Sequence, residues 1–307
     1  MHILAIMVKF IWKFRPGLFM CVDLHIHSIY SDGTSTPEEL INEAHRLKLR
    51  AVSVTDHDTV AGTREALHYG GKTGMTVLSG LEVSAMHRDI SLHLLGYGVD
   101  PEHAELGKWL LRLQQGRNTR NLNIFEKLRK LGLDVEIDEL RRFSSCGQTG
   151  RPHIARLLMQ KGVAKDMNQA FRLYLRRGAP AWAKRFTYSA AETIAAIHRA
   201  GGLAVLAHPG QIDPGMKVQP RLVDELAEYG LDGLEVYYPS HPRSMQKQLL
   251  ELARKHRLIV TGGSDFHGAN RAANALAGGK NGFCPPDDII LNINERIAEK
   301  RHAKPRP

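Results

Sequence analysis

Cysteine is scarce in this 307-residue chain: Cys21, Cys146 and Cys284 are the whole complement. They are far apart, odd in number and include no CxxC pair. That argues against a disulfide-built scaffold or a thiolate zinc site and predicts a reducing compartment, the cytoplasm. No GxSxG occurs, so no serine nucleophile is announced. There is no internal repeat and no low-complexity tract. Aromatic residues are an ordinary 7% and apolar residues 43%, enough for a sizeable core and too many for a disordered chain. An uninterrupted hydrophobic run of membrane-spanning length is also missing. The first twenty residues, MHILAIMVKFIWKFRPGLFM, come nearest, but Lys9, Lys13 and Arg15 break them. Those charges follow the apolar run, the reverse of a signal peptide. Residues 1–20 are read as an extension outside the fold, with Met20 as an alternative start, and no membrane association is expected.

Acids are outnumbered, but unevenly. The formal net charge is +10, and between residues 108 and 186 eighteen Lys or Arg face six Asp or Glu. That segment carries +12, so the remainder of the chain carries −2. An excess confined in this way calls for an anionic partner. The same segment lacks convincing strands and reads as a helical insertion.

On either side of it short apolar runs alternate with amphipathic stretches. CVDLHIH is followed by a helix opening TPEELINEAHRL, with Thr36 as N-cap and Pro37 in the first turn. AVSVTDHD, MTVLSGLEVSA, SLHLLGYG, LAVLAHP, GLEVYYP and LIVTGGSDFH read as further strands, with helices near 59–69, 189–200, 219–229 and 242–257. This βαβα order predicts a parallel sheet with helical crossovers, open or closed into a barrel.

Metal-ligand residue types collect at the C-terminal ends of those strands. They are His25, His27 and, just beyond, Asp32; His57 in TDHD; Glu82; His93; His208; and Asp265 with His267. In a parallel α/β fold the strand C-termini share one face, and active sites lie there. Residues i and i+2 of a strand point the same way, so His25/His27 and Asp265/His267 are each able to grip one ion or two neighbouring ions. Mixed imidazole and carboxylate ligands suit zinc, manganese or iron better than calcium. Six histidines and three acids exceed the needs of a single metal, so two or three ions are expected. Asp56 and Asp58 are open to two readings, orienting His57 or capping the following helix. Arg117, Arg120 and Arg151 are candidates to clamp a phosphate in forked geometry, with a solvated helix face as the alternative for each. Tyr237, Tyr238 and His241, after GLEV, are placed to stack a base or line a pocket wall, with core packing as the alternative for the tyrosines.

Six segments in order, DLHIHSIYSDGTSTPEEL, VTDHDT, GLEVS, HLLGYG, AHPG and GGSDFHG, resemble the polymerase-and-histidinol-phosphatase (PHP) family of metal-dependent phosphoesterases. The resemblance covers about 22–108 and 187–268. It implies an α/β fold, a distorted seven-stranded (β/α) barrel over 21–107 and 187–285. A basic helical insertion at 108–186 would cover the site, and 286–307 would be a frayed basic tail. It implies two or three divalent ions, manganese ahead of zinc and iron. His25, His27, Glu82 and Asp265 would hold the first ion. Glu82, His93 and His208 would hold the second, and Asp32, His57 and His267 the third. Asp265, His267 and His208 would be catalytic, and a metal-bound hydroxide would attack phosphorus. Many relatives carry a histidine where this chain has Asp32. The acid form, with GRPHIARLL at 150–158, is similar to the branch of 3′,5′-nucleoside bisphosphate phosphatases and 5′→3′ exoribonucleases. Arg151, Arg117, Arg120 and His241 would then bind a nucleotide or short RNA, with no obligate protein partner. A small-metabolite phosphatase, such as one for histidinol phosphate, and a non-catalytic RNA-binding module are the alternatives.

Overall fold

A computed structural model of the chain describes residues 20–143, 148–271, 274–280 and 282–302. The N-terminal run through residue 19 and Cys146 lie outside the described residues.

Strand β1 (Val22–Ile26) is buried on both faces, with Val22, Leu24 and Ile26 in the core and His25 turned the opposite way. Helix α1 (Pro37–Arg46) begins as its sequence predicts. Thr36 accepts a hydrogen bond from Glu39 N while Glu39 reciprocates at Thr36 N, and Leu40, Ile41 and Ala44 form its buried stripe. Strand β2 (Ala51–Val54) pairs in parallel with β1, and α2 (Ala61–Thr73) follows.

The next two strands depart from the parallel reading. β3 (Gly80–His87) and β4 (Ile90–Tyr97) pair antiparallel from Gly80↔Tyr97 to His87↔Ile90. They are joined by the two-residue turn Arg88-Asp89, with Arg88 in the left-handed region at φ 53°. A two-residue loop cannot carry a parallel crossover, so MHRDIS forces the hairpin. β4 also runs antiparallel to β6 (Leu203–Leu206), whereas β6, β7 (Gly233–Tyr237) and β8 (Ile259–Gly262) are mutually parallel. With the short β5 (Tyr188–Ser189) the order is β5-β3-β4-β6-β7-β8, a mixed six-stranded sheet beside the β1-β2 pair. Single bridges, Ile26↔Phe266 and His57↔Glu82, connect the two sheets where a closed ladder was expected. The fold is α/β with a mixed sheet.

Helices α6 (Ala190–Arg199), α7 (Gln219–Glu228) and α8 (Arg243–His256) pack outside the sheet at the expected places. Between β4 and β5 lie α3 (Ala104–Lys130), a 3-10 turn at Ile137–Phe143, α4 (Arg151–Gln160) and α5 (Met167–Ala170), which continues as a π-turn at Phe171–Leu175. These elements own a separate apolar core, built around Ile124, Phe125, Leu128, Ile154, Leu158 and Leu175. They form a helical lobe rather than a loose loop.

Two expectations fail at the C-terminal side. Residues 286–307 are not a frayed tail where they are described. Helix α9 (Ile289–His302) buries Ile289, Ile290, Ile293 and Ile297 against β1, β4 and β6. Its i, i+4, i+8 apolar stripe is hidden in sequence by the charges around it. Cys21 and Cys284 form a disulfide, with Cα atoms 5.0 Å apart, against the reading of free thiols. The bridge Cys21↔Pro286 and the bond from Val22 N to Pro285 O bring the two ends together across 263 residues. Among the described residues no helix is long and apolar enough to cross a membrane.

Candidate metal centre and arginine-lined cavity

The sheets deliver all nine expected ligand residues to one place. His25 and His27 share the inner face of β1, and Asp32 returns on the turn after it. TDHD is laid beside β3 by bonds from Asp58 N to Glu82 O and from Glu82 N to Asp56 O, which sets His57 against Glu82. Glu82 and His93 do not sit at strand ends. They lie within the β3-β4 hairpin, where His93 opposes Ser84, two residues along from Glu82 and on the same face, so the antiparallel pairing aims them at the same point. His208 and Asp265 follow β6 and β8 with φ of 28° and 52°. Left-handed backbone at non-glycine residues is costly, and here it turns each side chain off its strand toward the cluster. Gly263 lies so close to the His25 backbone that any Cβ would overlap it.

Glu82 is central. Its Oε1 lies 2.9 Å from His93 Nδ1, 3.0 Å from His208 Nε2 and 3.5 Å from His25 Nε2. Its Oε2 lies 2.9 Å from His57 Nδ1 and 3.3 Å from His27 Nε2. Asp265 Oδ1 is 3.2 Å from His27 Nε2 and 3.5 Å from His25 Nε2, and Asp32 Oδ1 is 3.2 Å from His267 Nε2. Four groups result: His25, His27 and Asp265; His25, Glu82 and His208; His57, Glu82 and His93; and His27, Asp32, His57 and His267.

Three features fit divalent metal. The separations match those between ligand atoms each about 2.1 Å from a common centre. His57 Nδ1 is buried without a hydrogen bond although Glu82 Oε2 is 2.9 Å away, the disposition of two ligands to one ion. His25 Nδ1 donates to Glu235 Oε1 at 2.9 Å, and His27 Nδ1 donates to Ser31 Oγ at 3.3 Å. Each ring then turns its Nε2 inward, and the two Nε2 atoms stand 3.2 Å apart, a spacing that a shared cation, proton or metal ion, satisfies.

Outer partners hold the rings. Glu235 carries His25 and also accepts His208 N at 2.6 Å. Asp56 accepts Ser28 N, Ser28 Oγ and Ser31 Oγ at 2.6–2.7 Å, so it orients His27 through Ser31. Tyr238 donates to Asp265 Oδ2 at 2.8 Å, and Arg271 pairs with the same oxygen. Burial opposes the Glu82 charge, yet His93, His57 and His25 hold its carboxyl well below the usual range. Burial pushes His57 down to about 4, leaving a neutral imidazole. Burial also disfavours a charged His27, but hydrogen bonds to Asp265 and Glu82 raise it to about 10.

Above the cluster lies a cavity of about 360 Å³, roofed by the helical lobe. Arg117, Arg120, Arg151 and Arg185 line it, with Met167, Asn168 and Phe171 on the lobe side and Gln211, Asn270 and Arg271 opposite. The lobe thus buries arginines that a solvated helix face would have exposed: Arg117 is 8% exposed and Arg120 4%. Asp58 neither orients His57 nor caps α2. It accepts Arg117 Nε at 2.6 Å and Arg185 Nη1 at 3.4 Å, and these two guanidiniums hold the buried carboxyl down at about 2. Arg120 Nε is buried without a hydrogen bond. Burial, then repulsion from Arg117, Arg185 and Arg151, push the Arg120 guanidinium well below its ordinary value, and burial and Arg117 push Arg185 down to about 9.

His241 does not belong to this cavity. It is 4% exposed, accepts Gly210 N at 3.1 Å and donates to Val236 O at 2.9 Å, so both nitrogens are spent on bracing the turn after His208. Tyr237 packs into the core and Tyr238 serves Asp265. Sequence reading missed Arg185, Arg271, Phe171 and Glu235. Glu235 had a signal, an acid inside the otherwise apolar strand GLEVYY; Arg271 had none.

A family model described as PHP domain matches residues 23–176. The chain is 34% identical over 247 residues to the 5′-3′ exoribonuclease Rnm of Escherichia coli, covering 80% of this chain and 84% of that protein. It is 34% identical over 247 residues to the 3′,5′-nucleoside bisphosphate phosphatase of Chromobacterium violaceum, covering 80% and 87%. A crystal structure from Bifidobacterium adolescentis, assigned as a metal-dependent phosphoesterase, superposes with a TM-score of 0.80 at 32% identity, covering 90% of this chain and 96% of that one.

Proposed function

This chain belongs to the PHP domain family and is a metal-dependent phosphoesterase; from that premise we propose that it acts on nucleotides bearing a second phosphate, either 3′,5′-nucleoside bisphosphates or the 5′ ends of short RNA. One observation carries the substrate reading. A single cavity sets the ligand cluster opposite four arginines, of which Arg117 and Arg185 pair with one carboxylate, Asp58, while Arg120 and Arg151 pair with no described acid. A buried cation without a partner costs several kcal/mol, so the arginines call for an anion of their own beside the phosphate at the cluster. A simple monophosphate leaves them unpaired. The relatives named above, and the acid at position 32, support the same reading.

In this reading His25, His27, Asp32, His57, Glu82, His93, His208, Asp265 and His267 hold two or three divalent ions, manganese first. Bound ions would supply an acidified water and charge neutralisation at the phosphoryl group. The chain's own residues do the rest. Glu82 spans the cluster with its two oxygens, and Glu235 and Ser31 fix the tautomers of His25 and His27. Arg117 and Arg185, steadied by Asp58, and Arg120 and Arg151 fix the second phosphate and thereby orient the scissile one. The lobe excludes bulk water. The two sheets together would be the family's distorted barrel, joined at Ile26 and His57 by single bridges.

The test is turnover by the purified, Mn²⁺-loaded chain of adenosine 3′,5′-bisphosphate, a 5′-phosphorylated pentaribonucleotide and histidinol phosphate. The doubly phosphorylated substrates are expected to be preferred by kcat/KM. Turnover of histidinol phosphate alone, or of none with metal bound, overturns the reading.

A further inference from the structure

The stretch from Met167 to Ala191 contains no acid, but it holds Arg172, Arg176, Arg177, Lys184 and Arg185. Elsewhere in the lobe several cations are neutralised at short range, although the exposed Arg112 and Lys165 pair with no described acid. Lys108 pairs with Glu105, Arg129 with Glu136, Lys130 with Glu126 and Lys161 with Glu139. Ordinary solvated faces mix signs in this way. Arg172, Arg176, Arg177 and Lys184 are exposed, and none pairs with a described acid.

Position gives this charge a meaning. The stretch leaves the cavity wall at Phe171 and rejoins it at Arg185, so its outer residues are tethered to that wall at both ends. It is held in shape. Arg151 Nη1 donates to Leu175 O at 3.4 Å, Ala181 N to Tyr174 O at 3.1 Å, and Lys127 Nζ to Trp182 O at 2.5 Å. Phe171, Tyr174 and Trp182 interleave with the cations and are only partly buried. Cations tracking a backbone, with aromatic faces between them, form the sequence-tolerant platform for single-stranded nucleic acid. A mononucleotide confined to the cavity would touch none of the four outer cations.

We propose that residues 171–185 form a track for the nucleotides that follow the one in the cavity, with Arg172, Arg176, Arg177 and Lys184 as its phosphate contacts. This rests on the nucleotide reading above and goes beyond it by placing binding outside the cavity. The test compares wild type with R172E/R176E/R177E/K184E, and with the gentler R172Q/R176Q/R177Q, on two substrates. The substrates are adenosine 3′,5′-bisphosphate and a 5′-phosphorylated pentaribonucleotide. Anisotropy of a fluorescein-labelled pentaribonucleotide reads binding directly, with and without Mn²⁺. The charge reversal should lower kcat/KM for the pentamer about 10- to 100-fold, weaken its binding alike and flatten its salt dependence by about 2–3 in log–log slope. The bisphosphate should change less than about twofold, and the Gln variant should fall between. Unchanged pentamer kinetics and binding, or an equal loss on both substrates, overturns the track. If wild type turns over neither substrate, the nucleotide reading fails instead, and anisotropy alone decides the track, with equal affinities overturning it.

Discussion

The floor and the roof of the cavity balance charge in opposite ways. On the floor three buried carboxylates are surrounded by six imidazoles, and every acid has a nitrogen within about 3.2 Å (Glu82 at 2.9, Asp265 and Asp32 at 3.2). On the roof Asp58 pairs with only two of four arginines, Arg117 and Arg185, and Arg120 Nε has no hydrogen bond. The floor is complete within the chain apart from a cation shared by its facing imidazole nitrogens. The roof is complete only with an anion. A site that asks for a cation below and an anion above is a site for a metal-bound phosphate ester, and the two halves should respond differently to perturbation.

Breaking the floor has the largest expected effect. Glu82→Gln removes the carboxylate shared by both sides of the cluster, and phosphate release should fall about 10³-fold with loss of bound metal, measured by plasma emission. Retained activity and metal would remove Glu82 from the centre. Dialysis against a chelator should abolish activity and lower the thermal midpoint. Mn²⁺ at a hundredfold excess over its Kd should restore both, the stability by about 2.7 kcal/mol. A midpoint indifferent to metal would show that the floor needs no cation.

The roof should show the opposite sign in stability. Arg120→Met removes a buried cation whose hydrogen-bond partner is the neutral Asn121 Oδ1 and not an acid, so the variant should lose about 10²-fold in kcat/KM, yet melt no lower than wild type. A melting point several degrees lower would mean that Arg120 is structurally paired. Glu235→Gln, beneath His25 and His208, should cost about 10- to 100-fold in metal affinity while leaving Arg-dependent phosphate binding intact. The smallest effect is in pH. The Asp58 carboxyl is held at about 2 against an ordinary 3.8. Its folded value is the lower one, so its contribution is full above about pH 4 and is lost as pH falls toward 2. The stability gap between wild type and Asp58→Asn should close over that interval in acid titrations followed by circular dichroism.

The floor was legible because its signals are local. HIH and DFH place two ligands at i and i+2, and alternation aims them without reference to the rest of the chain. The roof was half legible. The +12 excess marked the segment, but a helix carrying Arg112, Arg117 and Arg120 does not declare which of them its neighbours will bury. His241 misled because it follows a strand as the cluster residues do, and only the Gly210 N–H and the Val236 carbonyl reveal it as a brace. Arg271 and Glu235 enter through hydrogen bonds to ligands distant in sequence. The reversed β4 was readable in hindsight from a two-residue connection, and α9 from four isoleucines among charges.

What the sequence determined alone was candidate chemistry: which groups are able to coordinate, where positive charge collects, and where most helices and strands begin. These follow from residue type, net charge and short-range periodicity, each fixed within a few positions of the chain. What the tertiary structure decided was company. It set Glu82 between five imidazoles, buried Arg117 and Arg120 over them, joined Cys21 to Cys284 and withdrew His241. Those outcomes depend on contacts between residues tens to hundreds of positions apart, and the free energy of burial that selects them belongs to the assembled core rather than to any segment.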